Sequence, residues 1–304
     1  MKIIRNLNQI NSQLPPLVMT IGNFDGLHLG HMQIINKVKK IANEKNIHSA
    51  VLTFEPHPTK FFQTKNNGDF RLTSLAQKLR IFDEAQIDYV IILPFNHKLA
   101  EIAADDFVSK ILIKKFNVSD LVIGYDFTFG KNRLGNFKML ENYKFNLSEI
   151  SPVKIDDKTC SSTLIRSLIS NGEIAQANKI LGQNFSIEGL VISGKKLARQ
   201  MNFPTANLKY KSHLIKPKFG VYKTSTFIPS LNQKFKSVTN FGFKPTFNNI
   251  SFEPIFETHI FNFSEDLYDQ KIIVEFHDFL REEKKFSSLL ELQKQIEQDV
   301  KNAL

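Results

Sequence analysis

The chain has 304 residues, more than one compact core usually holds, and we therefore expect two domains. Hydrophobic residues make up 42% and charged residues 23%, with 13 glycines and 11 prolines, so the composition excludes a disordered or fibrous protein. The formal net charge of +10 is spread over both halves of the chain. Such a diffuse positive charge suits an enzyme that handles polyanionic nucleotides and suits weak RNA contact nearly as well.

The first half of the chain alternates short apolar, β-branched runs with stretches of helical periodicity. Four runs are predicted to be buried strands: 18–21, 50–54, 89–95 and 121–123. Helical patterns lie between them, around 34–43, at 74–85 and at 105–116. Strands that alternate with helices predict a parallel, Rossmann-like sheet covered by helices, with ligands at the carboxyl ends of the strands.

After residue 183 the pattern becomes one of extended segments separated by turns. The runs predict an antiparallel sheet or small barrel and span 186–193, 220–228, 236–241, 255–263 and 272–279. A final helix is expected, with Ser287 or Ser288 as its cap. Its predicted apolar stripe consists of Leu289, Leu290, Leu292, Ile296 and Val300. With the junction near 182–184, the predicted domains are 1–183 and 184–304.

The cysteine and the hydropathy pattern bear on location. Cys160 is the single cysteine and cannot form an internal disulfide, which favours the cytoplasm. Residues 1–14 have no continuous apolar segment followed by a small-residue cleavage site, and no run of 18 apolar residues occurs later. We therefore predict no export signal and no membrane span.

The segment IGNFDGLHLGH, residues 21–31, lies where the first α/β strand ends and the first helix begins. Glycines let backbone amides approach a phosphate, and a helix N-terminus offers free N–H groups and a positive dipole end. His28 and His31 are three residues apart, so both rings can face one side and donate to one triphosphate, while Gly30 leaves room for a base or ribose. The pattern favours nucleotidyl transfer over two surface histidines or a metal site, which has no third ligand at a recognisable spacing.

A second segment, SSTLIR at 161–166, directly precedes a predicted helix at 164–169. Its hydroxyl residues can cap that helix, which brings Arg166 into the first turns beside the free amides. Amides, hydroxyls and a guanidinium together would hold pyrophosphate. Taken alone, the segment fits an ordinary capped helix with a surface arginine better, but the H-x-G-H sequence upstream favours the phosphate interpretation.

Residues 189–208, GLVISGKKLARQMNFPTANL, form a second constellation. Thr205 and Asn207 are two apart on an extended segment, so both can point at one locus and place Mg²⁺ for phosphoryl transfer. Gly194 and the pair Lys195/Lys196 could cover the phosphates, although no P-loop sequence occurs. On these residues alone, a barrel turn with a polar pair is the simpler interpretation.

Four motifs of the first half resemble, in order and spacing, the adenylyltransferase domain of bacterial bifunctional riboflavin kinase/FAD synthetases. They are GNFDGLHLGH (22–31), TFEPHP (53–58), VIGYDFTFG (122–130) and SSTLIR (161–166). H-x-G-H alone is shared across a nucleotidyltransferase superfamily, so the order of all four supplies the specificity. The resemblance implies that His28, His31 and Arg166 act on the ATP phosphates. It also implies nucleotide or flavin contacts from Gly22, Asn23, Phe24, Asp25, Gly30, Asp126, Ser161, Ser162 and Thr163.

Six motifs of the second half resemble the riboflavin kinase domain of the same family. They are PTAN (204–207), GVY (220–222), NFGFKPTF (240–247), ETH (257–259), DLY (266–268) and FLREEKKF (279–286). The resemblance implies that Thr205 and Asn207 ligate the metal of Mg-ATP and that Glu257 is the base toward the ribityl 5′-hydroxyl. A carboxylate suits that task because the attacking alcohol must lose a proton; otherwise Glu257 is a strand carboxylate facing solvent. Further contacts are implied for Gly194, Lys195, Pro204 and Arg281.

Departures from the family pattern fall in the kinase half. Ala198 and Asn202 stand where the family usually has glycine, and alanine tolerates positive φ poorly, so we expect an altered loop over the nucleotide. Asp269 replaces the usual glycine after DLY, at a turn where aspartate is tolerated.

The resemblance thus implies an α/β nucleotidyltransferase domain followed by an antiparallel β-barrel kinase domain with a terminal helix. It implies phosphorylation of riboflavin to FMN and adenylylation of FMN to FAD, with Mg²⁺ and ATP. Small molecules are the expected partners, without a specific nucleic acid or a membrane, and an oligomer is left open. Two alternative functions remain. The chain could be another member of the superfamily, such as a cytidylyltransferase, but that function leaves the C-terminal motifs unexplained. It could be an RNA-binding protein, but the sequence has no aromatic signature for base stacking.

Overall fold

The structure is a computed structural model that describes residues 1–10, 13–62, 70–193, 203–211, 213–243 and 254–304. These residues form two compact units, Met1–Ser162 and Thr163–Leu304. Among them, no helix is both long enough and apolar enough to cross a membrane.

The first unit is built on a six-stranded parallel sheet with the strand order β1-β4-β3-β2-β5-β6. Its strands are β1 (Lys2–Ile4), β2 (Leu17–Ile21), β3 (His48–Glu55), β4 (Tyr89–Pro94), β5 (Val118–Gly124) and β6 (Asn146–Ile150). The four predicted strands are therefore confirmed as β2 to β5. The two edge strands, β1 and β6, were not predicted.

Helices follow the strands in the predicted alternation. They are α1 (Leu29–Lys45), α2 (Pro58–Phe62), α3 (Leu75–Glu84), α4 (His97–Ala100), α5 (Ala104–Asp106) and α6 (Phe137–Leu140). The predicted helix at 105–116 exists as α5 followed by a π-helical segment, Phe107–Ile113. Two 3₁₀ turns, Leu7–Gln9 and Lys131–Arg133, and a small hairpin of β7 (Lys154–Ile155) and β8 (Lys158–Thr159) complete the unit.

Both faces of this sheet are buried, which explains why its strands are apolar without alternation. Met19 and Leu121 pack in a cluster on one face, whereas Val18 and Val122 pack with Val38 of α1 on the other. Such continuous apolar strands are typical of parallel sheets covered by helices. The carboxyl ends of β2 and β5 lie side by side and point toward the same edge.

The second unit contains two helices, α7 (Ser162–Asn171) and α8 (Ile174–Leu181), and a closed antiparallel barrel. The unit starts at Thr163, the second residue of α7. The strand order around the barrel is β10-β13-β12-β11-β14-β9. The strands are β9 (Ser186–Ile192), β10 (Ala206–Lys209), β11 (Gly220–Ile228), β12 (Gln233–Phe243), β13 (Pro254–Ile260) and β14 (Lys271–Arg281). The predicted barrel is confirmed, and only β10 among its strands was not predicted.

Hydrogen bonds tie α8 to the barrel. The Asn178 side chain donates to the Phe276 carbonyl at 2.8 Å and accepts from the Phe185 amide at 2.7 Å. The structure therefore groups α7 and α8 with the barrel, although both precede the boundary predicted at 183–184. That boundary stays a prediction for the functional domains.

The terminal helix α9 spans Leu289–Ala303, and Ser288 is its N-cap, as one of the two predicted alternatives. The predicted apolar stripe is wrong at Leu290, which is 62% exposed. Leu290 and Leu292 are separated by about 200° around a helix of 3.6 residues per turn, so both cannot lie on one face. Among the α9 residues whose burial the structure describes, Asp299 and Ala303 are buried.

Candidate active sites

His28 and His31 lie at the start of α1, directly after the carboxyl end of β2. His28 is the N-cap of the helix, and its Nδ1 accepts a hydrogen bond of 3.4 Å from the His31 amide. The two rings stack with their centroids 3.7 Å apart and an angle of 19° between their planes. Both rings therefore share one side of the helix terminus, as the three-residue spacing predicted.

The two imidazoles differ in their surroundings. Because Nδ1 of His28 accepts the helix amide, the proton of a neutral ring resides on Nε2, which can donate to a ligand. Nδ1 of His31 is buried and has no hydrogen-bond partner among the described residues. Loss of hydration, followed by the charges of His28 and Lys78, holds the pKa of His31 well below its usual value. His31 is therefore neutral at cellular pH.

The backbone between β2 and α1 adopts a strained conformation. Phe24 and Leu27 have φ values of 47° and 45°, in the left-handed region that side chains disfavour, and Gly26 has φ of 87°. The Phe24 ring contacts the His31 ring edge-on, with a centroid distance of 5.3 Å. A Cβ at Gly22 would lie 3.1 Å from the Phe24 ring, so glycine permits this close approach.

Asp25, predicted as a ligand contact, is buried and bonds protein groups. Its carboxylate accepts from the amides of Leu72 at 3.0 Å and Thr73 at 3.2 Å. Its carbonyl accepts a 2.7 Å bond from the Ser162 hydroxyl. The structure thus brings the SSTLIR segment to the H-x-G-H loop at Ser162, and it gives the Asp25 side chain a structural task.

Two further predicted contacts lie beside the histidines. A Cβ at Gly30 would lie 3.2 Å from the His28 ring, so this position leaves little room beyond glycine. Asp126 is exposed, and its Oδ1 lies 3.5 Å from the Cβ position of Gly124, at the carboxyl end of β5. Gly30 and Asp126 thus border the strand edge where ligands were expected.

The other residues predicted to contact the nucleotide are Asn23, Ser161, Thr163 and Arg166. Ser161 and Asn23 are half-buried, and Thr163 is exposed. Arg166 is half-buried on α7, one turn after Ser162, and belongs with Thr163 to the second unit. Their roles stay predictions.

Sequence reasoning missed a buried charged group beneath the loop. Lys78 of α3 is only 1% exposed, and its Nζ donates a 2.9 Å hydrogen bond to the Asn23 carbonyl. Arg71 pairs with Glu55 through contacts of 2.7 and 2.8 Å nearby. The sequence signals Lys78 only by its position within the helical pattern of α3. Its burial depends on tertiary partners, which the pattern does not show.

In the barrel, three polar residues form a row across adjacent strands. Asn207 of β10 is opposite Glu257 of β13, which is in turn opposite Asn240 of β12. Directly opposed residues place their side chains on the same face of a sheet. Since Phe256 and Thr258, the neighbours of Glu257, are buried inside the barrel, this row lies on the outer face.

A cavity of about 800 Å³, a size that accommodates a nucleotide, lies at the Asn207 end of this row. Thr205 and Asn207 both line it, and the expectation that their side chains point at one locus stays a prediction. His259, whose Nδ1 lies 2.9 Å from the carbonyl of Pro204, and Tyr268 line other parts of the cavity. Pro204, predicted as a contact, lines it as well.

Glu283 is a second carboxylate that sequence reasoning did not single out at this site. It bonds the Asn240 side chain, and a Cβ at Gly242 would collide with its carboxylate. Loss of hydration, together with the Glu257 charge, raises the pKa of Glu283 despite the Asn240 bond and the Arg281 charge. A second carboxylate, Glu283, thus lies close to Glu257 and Asn240.

Arg281, another predicted contact, forms a two-point ion pair with Asp299 of α9. Its Nε and Nη2 lie 2.8 and 2.6 Å from the two carboxylate oxygens. The guanidinium therefore anchors the terminal helix to β14. A role toward a ligand stays a prediction.

The substituted loop positions have different outcomes. Gly194, Lys195, Ala198 and Asn202 lie outside the described residues, so the expected change of loop shape stays a prediction. Asp269 has a φ of 60°, in the left-handed region, which explains both the usual glycine there and the tolerance of aspartate.

Fold and sites together define a two-domain, nucleotide-dependent transferase. An H-x-G-H site lies at the carboxyl edge of a parallel α/β sheet, and a separate site with a candidate carboxylate base lies on an antiparallel barrel. Two family models match the two parts, FAD synthetase at residues 10–164 and riboflavin kinase at residues 181–304.

Two curated relatives, both described as bifunctional riboflavin kinase/FMN adenylyltransferase, are similar to the whole chain. The relative from Buchnera aphidicola is 38% identical, with 99% of this chain and 97% of the relative covered. The relative from Haemophilus influenzae is also 38% identical, with coverage of 100% and 98%. The chain belongs to the bifunctional riboflavin kinase/FMN adenylyltransferase family, and the predicted pair of activities is confirmed.

A solved structure shares the fold over the full length. The crystal structure of a protein from Streptococcus pneumoniae, described as a macrolide-efflux protein, is 28% identical, with a TM-score of 0.89 and coverage of 100% of this chain and 99% of that chain. The two family models and the curated relatives, at higher identity, assign this chain to flavin cofactor synthesis.

Proposed function

We propose that the α/β unit transfers the adenylyl group of ATP to FMN at the N-terminus of α1. A phosphate oxygen of FMN attacks the α-phosphorus, and the bond from the α-phosphorus to the bridging oxygen breaks to release pyrophosphate. His28 and His31 donate to the phosphates as negative charge develops on the leaving group. The stacked imidazoles at the helix N-terminus are the observation that supports this most directly.

Other residues of the motif complete the binding site in this proposal. Arg166 supplies a guanidinium to the pyrophosphate, with the hydroxyls of Ser161 and Thr163 nearby in sequence. Gly22, Asn23 and Gly30 contact the nucleotide through the backbone in this proposal, and the two glycines allow the Phe24 and His28 rings to pack closely beside it.

The test of the adenylyltransfer site is His31→Ala. We expect FAD formation from FMN and ATP to fall by about 10²- to 10³-fold, the usual cost of losing one donor to a developing anion. Formation of FMN from riboflavin should stay unchanged, because that reaction uses the other unit. Equal loss of both activities would refute the assignment of the reactions to separate sites.

For the barrel we propose that Glu257 is the general base of riboflavin phosphorylation. The proton of the ribityl 5′-hydroxyl passes to the Glu257 carboxylate as the oxygen attacks the γ-phosphorus of ATP, and ADP leaves. The register places Glu257 between Asn240 and Asn207, and Asn207 lines the large cavity, which supports this role. The two amides can orient the carboxylate and the nucleotide.

The donor set beside Glu257 fits the magnesium that kinases of this kind require. Thr205 and Asn207 offer a hydroxyl and an amide oxygen, both hard ligands, and both line the same cavity. These two side chains would hold Mg²⁺, which supplies charge neutralisation for the bound phosphates. The protein residues then orient the nucleotide and exclude water.

The test of the base is Glu257→Gln, assayed by chromatographic separation of riboflavin, FMN and FAD over time. We expect FMN formation to fall by about 10²- to 10⁴-fold, the usual contribution of a general base. Adenylylation of added FMN should remain. Survival of riboflavin phosphorylation at the wild-type rate would exclude Glu257 as the base.

The cytoplasm is the location we propose for these reactions. Cys160 is the lone cysteine and is buried, and burial raises the pKa of its thiol. Such a thiol is poorly reactive, and the fold requires no oxidising compartment.

A further inference from the structure

Lys78 is the most buried charged side chain of the α/β unit's site region and has no role in the proposed chemistry. It is 1% exposed, and its ammonium group donates to a main-chain carbonyl, that of Asn23, over 2.9 Å. Lysines are almost never fully buried unless paired. The contacts of Lys78 therefore have to explain why a lysine is buried at this position.

The surroundings of Lys78 hold its pKa below the usual value of a lysine. Burial lowers the pKa of Lys78 and the Arg71 cation lowers it further, while the carboxylates of Asp25 and Glu55 raise it. Arg71 is itself neutralised by two contacts to Glu55. Two cations and two carboxylates thus lie together under the loop that joins β2 to α1.

The contact of Lys78 is with the strained segment of that loop. The Asn23 carbonyl immediately precedes Phe24, whose φ of 47° a side chain adopts only when other contacts hold it. Thr53 donates a second, longer bond of 3.4 Å to the same carbonyl. Further along, Thr73 accepts from the Gly26 amide at 3.1 Å.

We propose that Lys78 is a positioning residue of the adenylyltransfer site. Its ammonium group fixes the Asn23 carbonyl and keeps residues 23–27 in the strained conformation that presents His28 and His31. This inference rests on the function proposed for the two histidines.

The charge of Lys78 also acts on His31. The groups that lower the pKa of His31 are the loss of hydration, the stacked His28 and Lys78. Replacement of Lys78 by a neutral side chain therefore raises the pKa of His31. This shift reports the charge of Lys78 near His31, whereas the activity of the variant reports how Lys78 positions the loop.

The experiment compares Lys78→Met with Lys40→Met. Lys40 lies on α1, the helix that contains His31, and its side chain is 67% exposed. Lys40→Met therefore also removes one lysine charge but leaves the loop at 23–27 unchanged. For Lys78→Met we expect kcat for FMN adenylylation to fall by about 10²-fold, the cost of an ångström-scale misplacement, with riboflavin phosphorylation unchanged. Lys40→Met should keep both activities.

Histidine NMR titration of the same two variants gives the second readout. We expect an upward shift of the His31 pKa in Lys78→Met and no shift in Lys40→Met. A folded Lys78→Met protein with wild-type adenylylation, or with an unshifted His31 titration, would overturn the proposal.

A measurement on the unsubstituted protein covers the case in which Lys78→Met does not fold. The side-chain nitrogen signal of Lys78 should be that of an ammonium group at neutral pH, with slow hydrogen exchange because it is buried and bonded. A neutral amine there would overturn the proposal. If His31→Ala keeps full adenylylation, the proposed function fails whatever Lys78 does; if His31→Ala is inactive and Lys78→Met is not, only the inference about Lys78 fails.

Discussion

The two units bury different kinds of side chain, and their sites differ accordingly. In the α/β unit the sheet has apolar clusters on both faces; of its buried charges, Asp25 lies in the loop after β2, and Lys78 reaches that loop from α3. In the barrel, hydroxyls lie inside the core. They form a hydrogen-bonded chain through Thr226, Ser237, Thr224, Thr239 and Thr258, with distances of 2.8 to 2.9 Å.

The difference follows from how each sheet is covered. Helices cover a parallel sheet on both faces, so only loops are free to carry chemistry. In the barrel one face of each strand is the core and the other is available, so Glu257 is outside while the adjacent Thr258 is inside. The α/β site therefore depends on loop conformation, and the barrel site depends on strand register.

The strongest way to disturb only the barrel is to break its buried ion pair. Arg281→Met leaves the Asp299 carboxylate, whose side chain is 5% exposed, without its cation. We expect the free energy of unfolding of the barrel to fall by about 3–5 kcal/mol, the cost of an uncompensated buried charge. Denaturant unfolding followed by circular dichroism measures this, because the chain has no tryptophan to report by fluorescence.

Two further variants control this prediction. The double variant Arg281→Met/Asp299→Leu should recover most of the stability, since an apolar pair can replace a buried ion pair. In the α/β unit, Lys110→Ala breaks an exposed pair with Asp106 at 2.8 Å and should cost less than about 1 kcal/mol. Equal losses from Arg281→Met and Lys110→Ala would contradict the distinction between the two pairs.

A matched pair of threonine substitutions compares the two cores. Thr239 of the barrel bonds Thr224 and Thr258, both at 2.9 Å, so Thr239→Val should cost about 1–3 kcal/mol by leaving buried hydroxyls with fewer partners. Thr20 of β2 is also fully buried, but its hydroxyl has no partner among the described residues. Thr20→Val should therefore be neutral or stabilising. The same loss at both positions would show that the hydroxyl chain does not stabilise the barrel.

The pH dependence of stability reports on the α/β site. The pKa of His31 in the folded state is well below the value of about 6.5 in an unfolded chain. Below that pH the His31 side chain is protonated in the unfolded state but not in the folded state. The free energy of unfolding therefore falls as the pH falls. The fall is about 1.4 kcal/mol for each pH unit between the two pKa values. Above pH 6.5 His31 is neutral in both states, so burial of its ring does not reduce the free energy of unfolding there.

Comparison of wild type with His31→Gln isolates this effect, because burial also lowers the pKa of His259 and His277 in the barrel. We expect the acid-side fall in unfolding free energy, measured from pH 7.5 to 5, to be shallower in His31→Gln. Parallel curves for the two proteins would contradict a lowered pKa of His31.

Local patterns were enough to predict much of this molecule. The strand β11 has the bounds that its sequence run predicts, and the stacking of His28 and His31 follows from a three-residue spacing at a helix start. The short strand β10 was missed because four residues give too little alternation to recognise. These outcomes depend on neighbours in sequence.

Lys78 and Glu283 could not be found in this way. The partner of Lys78 is the carbonyl of Asn23, a backbone atom that every residue possesses, and it lies 55 residues away. Glu283 is placed by the absence of a side chain at Gly242 and by Asn240. Both roles arise from contacts between distant segments, which propensity and periodicity do not encode.

The smallest expected effect tests the face of α9 that packs on the barrel. Leu290→Ser should change the free energy of unfolding by less than about 0.5 kcal/mol, because the side chain is 62% exposed. Leu292→Ser, at a half-buried position of the same helix with the same chemistry, should cost more. A larger loss from Leu290→Ser would contradict the observed exposure of Leu290. It would also mean that α9 packs on the barrel through a different face from the one that contains Asp299.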